Sequence, residues 1–323
     1  MLFSFHKKKN LLLIATITTS LALFGCGNED AENSNNDSNQ AAEQTEDRVL
    51  TDALGNEVTI PANPERVVAT YLEDHLVALG ITPIVQWSVA NGKQEYLQEY
   101  LKDVPTIAHD LPLEAVSSQN PDLIIMDGAG MVEGGKYDQY AKIAPTYVIG
   151  EEENSDWRTE LETVGKIFGK EDKATEVLKE YEDKAAQVEE ELQKDHAGES
   201  AAAIWLVNNS LFVVSKDLSA GDVIYNDLGM AVPSVVEEIS ADATGNWSAI
   251  SLEKLADMDV DHLFFINSDG EGAEVLSDPL WANIPAVKNE NVYEFSRDTG
   301  WLYTGTIANT QIIEDVEETI LNK

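Results

Sequence analysis

The sequence predicts an α/β protein of two similar lobes with one long helix between them. Three observations carry that reading. Apolar strands alternate with helical segments along most of the chain, the order that builds parallel sheets. A fourteen-residue pattern occurs twice without a gap, LEAVSSQNPDLIIM from Leu113 and LEKLADMDVDHLFF from Leu252. A helical stripe from Glu171 to Lys194 lies between the two copies.

The repeat pairs Leu113 with Leu252, Glu114 with Glu253, Val116 with Leu255 and Asp122 with Asp261. Each copy is a short helix followed by an apolar strand, with one Glu at the same place. Two matched lobes leave a cleft between them, and a symmetric partner can grip both.

From the N-terminus, His6-Lys7-Lys8-Lys9 is a basic head, and Leu11 to Phe24 is an apolar run too short for an ordinary membrane helix but suited to a signal peptide. It ends at Cys26, the only cysteine, so no internal disulfide forms. Residues 1–25 are expected to be removed and Cys26 to carry lipid, whose two chains hold a protein at a membrane surface. Losing three lysines lowers the formal charge from −38 to −41. That balance excludes nucleic acid as a partner, since phosphate binding needs clustered Lys and Arg. Residues 26–47 hold almost no apolar bulk and read as a disordered tether.

The first lobe spans 48–155. It opens with VLTDALGNEVTI, a strand pair turned at Gly55-Asn56, followed by the buried-type strand RVVAT, a helix ended by Gly80, the strand PIVQW, the first Leu-Glu unit, and TYVIG. Residues 156–196 are helical. Leu161, Val164 and Phe168 form one stripe, and after Gly169 a second runs from Ala174 to Leu192. The second segment is about 36 Å long as a helix. It either bridges both lobes as a stiff spine or lies on the surface of one. The second lobe, 197–323, pairs AAAIWLV with LFVV, repeats the αβ rhythm and closes with a helix near Thr306 to Leu321.

No motif specifies catalysis. TVGKIFGKED has the wrong spacing for a phosphate loop, and neither a GxSxG elbow nor HExxH occurs. His75, His109, His196 and His262 are dispersed in sequence, so no direct metal site is expected, and His262 reads as a core residue. The aromatic residues point to a ligand. Trp87 ends a strand, Trp247 precedes the second helix-strand unit, and Trp301 and Tyr303 flank Leu302 shortly after Arg297. Ligands of α/β folds bind beyond the carboxyl ends of strands, and rings with polar tips suit a bulky, partly apolar molecule. Core packing is the competing role for each ring.

Residues 48 to 320 resemble the iron-siderophore substrate-binding lipoproteins of ABC importers. DALGNEVTIPANPERVV, the two Leu-Glu segments, DWRTELETVGKIFGKEDKA and DPLWANIPAVKNENVYEF carry the likeness. WLYTGTIA and NWSAISLEKL are most similar to the branch that binds ferric hydroxamates such as ferrioxamine, ferrichrome or schizokinen. The resemblance implies two Rossmann-like lobes joined by a single spine helix, a shallow cleft and little closure. It also implies ligand contacts at Trp247, Trp301 and Tyr303, and docking of Glu114 and Glu253 to arginines of an ABC permease. Where some hydroxamate binders carry an Arg before the second lobe's first helix, this chain reads SKDLSAG; Arg297 or Lys93 would have to substitute.

The chain has only four arginines, Arg48, Arg66, Arg158 and Arg297. A trianionic ferric catecholate needs several cations around it, so a neutral or weakly charged ferric hydroxamate is easier to hold. The expectation is a monomeric, lipid-anchored receptor on the outer face of a bacterial cell membrane. It would deliver a ferric siderophore to an ABC permease, with Trp87, Lys93, Trp247, Arg297, Trp301 and Tyr303 around the ligand and no side chain bonding to iron. Rivals are the same scaffold binding ferric citrate, haem or cobalamin, direct binding of a metal ion, and a surface esterase or ferric reductase.

Overall fold

The computed structural model describes residues 46–322 except 90–91, 151–155 and 244. The expected signal peptide, Cys26 and nearly all of the tether lie outside the described residues. In chain order the first part comprises β1 (Arg48–Thr51), β2 (Glu57–Ile60), β3 (Val67–Ala69), α1 (Glu73–Ala78), β4 (Gln86–Ser88), α2 (Gln98–Leu101), β5 (Thr106–Ala108), α3 (Leu113–Ser118), β6 (Leu123–Gly128), α4 (Tyr137–Tyr140) and β7 (Thr146–Gly150). Two helices follow, α5 (Trp157–Phe168) and α6 (Glu171–Asp195). The rest comprises β8 (Ala201–Val207), β9 (Ser210–Val214), α7 (Ser234–Ser240), β10 (Trp247–Ile250), α8 (Leu252–Ala256), β11 (His262–Asn267), α9 (Pro285–Lys288), β12 (Val292–Ser296) and α10 (Thr306–Val316).

The two lobes share one strand order. In the first, β3 pairs in parallel with β6 and β6 with β7, while β4 pairs with β5 and touches β3 through a parallel bridge between Val68 and Val85. In the second, the order is β10-β9-β8-β11-β12, with β8, β11 and β12 parallel and β9 and β10 antiparallel to their neighbours. The chain therefore reverses direction across the sheet beside β3 and beside β8, and a crevice opens at the carboxyl ends there. The hairpin between β8 and β9 turns at Asn208 and Asn209, with φ of 50° and 55°, the left-handed pair that a two-residue turn requires.

The helices between the lobes follow from local chemistry. Asp156 caps α5 by accepting from the Thr159 amide at 2.8 Å. Gly169, at φ 61°, ends it, and the Lys170 amide donates back to the Gly165 carbonyl at 2.7 Å. Along α6 the buried residues Ala174, Val177, Tyr181, Ala185, Val188 and Leu192 recur every three or four positions. One apolar core runs without a break from the first sheet through α5 and α6 to the second.

Polar contacts reinforce this junction. Arg158 of α5 pairs with Asp222 at 3.1 Å and Asp227 at 2.6 Å and lies over the Trp157 ring. α10 joins as a second strut: Asp74 of α1 accepts from the Ile307 and Ala308 amides at its N-terminus, both at 3.0 Å, and from the Tyr96 hydroxyl at 2.9 Å. Gly305 permits that approach, since a Cβ there would lie 2.4 Å from the Asp74 carboxyl carbon. The long helix thus shares the bridging role with α5 and α10.

The matched residues of the sequence repeat occupy matched places. Val116 and Leu255 are fully buried. Asp122 accepts from the amides of Glu65 and Arg66, both at 2.9 Å, just ahead of β3. Asp261 accepts from the amide and hydroxyl of Ser200 at 2.8 and 2.9 Å, just ahead of β8. Each aspartate fixes the entry of the central strand of its lobe's sheet.

Candidate functional site

A cavity of about 780 Å³ lies between the carboxyl ends of the two sheets, within the range of small-molecule sites. The first lobe contributes Tyr71 after β3, Trp87 from β4, Lys93 and Gln94, Asp127 near the end of β6, and Met131. The second contributes Trp205 and Val207 from β8, Ser268 and Asp269 after β11, Arg297 after β12, and Leu302 and Tyr303.

Hydrogen bonds at the indole nitrogens set two of the walls. Trp87 Nε1 donates to the His109 carbonyl at 3.1 Å, and Trp205 Nε1 to the Ser268 hydroxyl at 2.9 Å. With the polar edge of each indole engaged, apolar ring surface is left for the cavity. Tyr71 stands edge-on to Trp87 at 5.2 Å and lies 6.2 Å from Tyr303, which packs on Tyr96 at 5.0 Å. Tyr71 holds φ at 58°, a conformation costly for a bulky residue; its position, between β3 and α1 at the crevice, is where such strain serves a site. The lobes meet across the cavity where the Tyr303 hydroxyl donates to the Lys93 carbonyl at 3.3 Å.

The electrostatics are balanced. Lys93 and Arg297 face Asp127 and Asp269. Asp269 is engaged in accepting the Asn208 and Asn209 amides at 2.8 and 2.6 Å. Beneath the first-lobe wall, Glu73 is buried and accepts from the Trp87 amide at 2.6 Å. Burial pushes its carboxyl up to about 7, with nearby Asp127 adding to the effect. Burial likewise raises the Tyr71 and Tyr303 hydroxyls above the ordinary tyrosine range.

Of the six residues expected around a ligand, Trp87, Lys93, Arg297 and Tyr303 line this cavity. Trp301 does not. It is fully buried, stacked between Phe264 at 4.8 Å and Phe295 at 5.0 Å, and its Nε1 donates to Asp315 at 2.7 Å. The expectation placed Trp301 and Tyr303 together at a ligand, on either side of Leu302. Gly300–Leu302 form a tight 3₁₀ turn, with Trp301 buried and Leu302 and the following Tyr303 on the cavity.

Trp247 also falls outside the lining. It pairs with Val214, whereas Ala249 pairs with Phe212 and Phe212 with Trp205. Trp247 is therefore one pleat farther from the cleft, with its ring 5.9 Å from that of Trp205. Sequence reasoning missed Tyr71, Trp205 and Asp127. The signal for Trp205 was present: Trp205 and Val207 share one face at the carboxyl end of AAAIWLV.

Glu114 and Glu253, expected to dock a permease, are exposed in the first turns of α3 and α8. Arg48, Arg66 and Arg158 are committed to the fold: Arg48 donates to the Lys166 carbonyl, Arg66 to the Asn120 carbonyl, and Arg158 to two aspartates. The histidines correct one expectation. His196 and His262, read as dispersed, are brought together because the end of α6 meets the start of β11, and Glu199 lies between them.

Residues 67–299 match the sequence model of a family described as periplasmic binding protein. The iron(3+)-hydroxamate-binding protein FhuD of Bacillus subtilis is 29% identical over 315 residues, 96% of this chain and 95% of its own. The Fe(3+)-citrate-binding protein YfmC of the same organism is 28% identical over 326 residues, 97% of this chain and 96% of its own. The crystal structure of Staphylococcus aureus SirA complexed with staphyloferrin B superposes with a TM-score of 0.70 at 28% identity, covering 85% of this chain and 98% of that one.

Proposed function

The chain belongs to the periplasmic binding protein family, and on that premise we propose that it captures a ferric siderophore of the hydroxamate type and delivers it to an ABC permease. The observation that carries the reading is the cavity itself. It has room for a chelate and presents tryptophan and tyrosine rings from both lobes. Among the described residues the trio with metal-ligand geometry, His196, Glu199 and His262, is not part of its lining. Iron held there is best accounted for as iron already wrapped by its chelator, with the protein touching the organic shell.

Charge favours hydroxamate. Three hydroxamate groups neutralise Fe³⁺, so the complex carries no core charge. Lys93 and Arg297 are offset by Asp127 and Asp269, with Glu73 behind them. A multiply anionic chelate would meet carboxylates as well as cations, and desolvating it there is costly. Ferric citrate is the second reading, favoured by the likeness to YfmC. In the proposed complex, Trp87, Trp205, Tyr71 and Tyr303 enclose the chelate, while Arg297 and Lys93 donate to its oxygens.

The rest of the proposal concerns delivery. Lipid on Cys26 holds a monomeric receptor at the outer face of the membrane, and Glu114 and Glu253 meet basic residues of the permease. Ion pairs on an exposed surface contribute only about 0–1 kcal/mol each, so they orient the complex more than they tighten it. Among the described residues, no helix is long and apolar enough to cross a membrane. The reading assigns the chain no catalytic step.

Titration of tryptophan fluorescence tests the ligand class. The purified chain is titrated with a ferric trihydroxamate, ferric citrate, haem, a ferric tris-catecholate and ferric ion alone. The trihydroxamate is expected to give saturable quenching at the lowest concentration. Tighter saturation by ferric citrate would replace hydroxamate with carboxylate chelates, and saturation by none of them would remove the proposal.

A further inference from the structure

We propose that His196, Glu199 and His262 form a binding site for a divalent transition-metal ion of the zinc class, at the end of the second sheet opposite the cleft. Three elements deliver the ligands. His196 terminates α6, Glu199 stands in the link to β8, and His262 opens β11. Glu199 Oε2 lies 2.8 Å from His196 Nδ1 and 2.7 Å from His262 Nε2, and one ligand atom from each residue lies within 4.8 Å of the others. Two imidazoles and a carboxylate, with a further position open to water, make a donor set that zinc takes in proteins, and imidazole favours such borderline ions over magnesium or calcium.

A second feature concerns orientation. His262 is buried, its Nδ1 lies 3.1 Å from the Tyr293 hydroxyl, and the two rings stack. That contact leaves Nε2 as the nitrogen turned toward Glu199. A hydrogen-bonding partner on the far nitrogen is what fixes the ring of a metal-bound histidine. The present spacings are those of hydrogen bonds. Bonds of about 2.0–2.1 Å to a tetrahedral ion would separate neighbouring donors to roughly 3.4 Å. His196 and Glu199 have side chains 26% and 39% exposed, so they can open outward while His262, 5% exposed, stays in place. The ion would replace the protons now shared with Glu199 and pin the end of α6 to the second sheet.

The site is separate from the cleft. β8 and β11 begin beside it and end at the cavity, and six residues of strand span about 20 Å. Its occupancy therefore does not depend on which ligand the cleft takes, or on whether the cleft takes one.

The test uses the full-length chain, purified without a histidine tag, stripped with EDTA and titrated with ZnCl₂. Wild type is compared with His196→Ala, Glu199→Gln and Tyr293→Phe. Circular dichroism confirms that each variant is folded, and His262 is left intact because its burial makes it a folding risk. With 59 acidic residues the chain binds cations weakly everywhere, so the differences between variants decide. Wild type is expected to bind one zinc ion saturably and to unfold at a higher temperature with zinc than without. Magnesium should give no such shift. His196→Ala and Glu199→Gln are expected to lose at least tenfold in zinc affinity, and Tyr293→Phe about tenfold. A wild type with no saturable zinc site, or folded His196→Ala and Glu199→Gln variants that bind zinc as wild type does, would overturn the proposal and leave the trio a hydrogen-bonded clamp.

Discussion

In the first lobe every strand at the crevice runs parallel, whereas in the second β9 turns back as the antiparallel neighbour of β8 and β10 as the antiparallel neighbour of β9. Around that difference the lobes keep the same strand order, the same buried residue at Val116 and Leu255, and the same aspartate lock at Asp122 and Asp261. The difference decides which strand supplies the aromatic wall. Parallel β4 brings Trp87 to the cleft from the strand beside β3. In the second lobe the strand beside β8 runs away from the cleft, so β8 itself supplies Trp205. Shared topology sets where a ligand sits, and strand direction sets which residue meets it.

The same contrast divides the tryptophans into core and cleft groups, and mutation can break it. The largest effect is expected at Trp301: Trp301→Ala should cost about 4 kcal/mol of stability in urea unfolding, because it empties the stack between Phe264 and Phe295. Trp205→Ala should leave stability much closer to wild type. If Trp205→Ala destabilised as much as Trp301→Ala, the division would fail.

Next in size is a pH effect confined to the first lobe. The Glu73 carboxyl is raised from 4.5 to about 7 by burial. Its neutral form is favoured in the folded state, so its contribution is fully present below about pH 4.5 and is lost as pH rises through 7. Across that window wild type should lose about 3 kcal/mol relative to Glu73→Gln, read from urea unfolding at about pH 5 and about pH 8. A constant difference between the two proteins would show that Glu73 ionises freely.

A smaller effect tests the walls. Trp87→Ala and Trp205→Ala should each weaken chelate binding at least tenfold, about 1.4 kcal/mol, while Trp247→Ala, one pleat behind, should weaken it less. A larger loss for Trp247→Ala would place the ligand deeper along the second sheet. Smaller again, Asp122→Ala and Asp261→Ala should each cost about 1 kcal/mol, and by similar amounts, since both remove paired acceptors at a strand entry. Unequal costs would show that the repeat is similar in shape but not in energetics. Glu114→Ala combined with Glu253→Ala should leave chelate affinity unchanged and slow siderophore uptake by cells. Uptake at the normal rate would remove the docking role.

Much of the architecture was legible because it rests on local signals. The period of α6, the glycine at 169, and the strand-helix alternation each act over a few residues. The repeat was legible because the matched Asp and apolar positions do the same work twice. The cleft was legible only in part. Trp87 could be placed because it stands at a strand end, but Trp301 was misplaced because a 3₁₀ turn and a strand end differ by a rotation that composition does not encode. Tyr71 was missed because its left-handed backbone appears only once β3, α1 and the cleft are assembled. The His196–Glu199–His262 cluster was invisible for a related reason: His196 and His262 are 66 positions apart in the chain, and only the meeting of α6 with β11 joins them.

The central claim is that the cleft holds iron through the shell of its chelator, between Trp87 on one lobe and Trp205 on the other. X-ray absorption at the iron edge, measured on the protein saturated with a ferric trihydroxamate, tests this directly. The account predicts the same six-oxygen spectrum as the free chelate, unchanged in Trp87→Ala protein at saturating ligand. A spectrum altered by a nitrogen ligand or an extra carboxylate oxygen from the protein would contradict it.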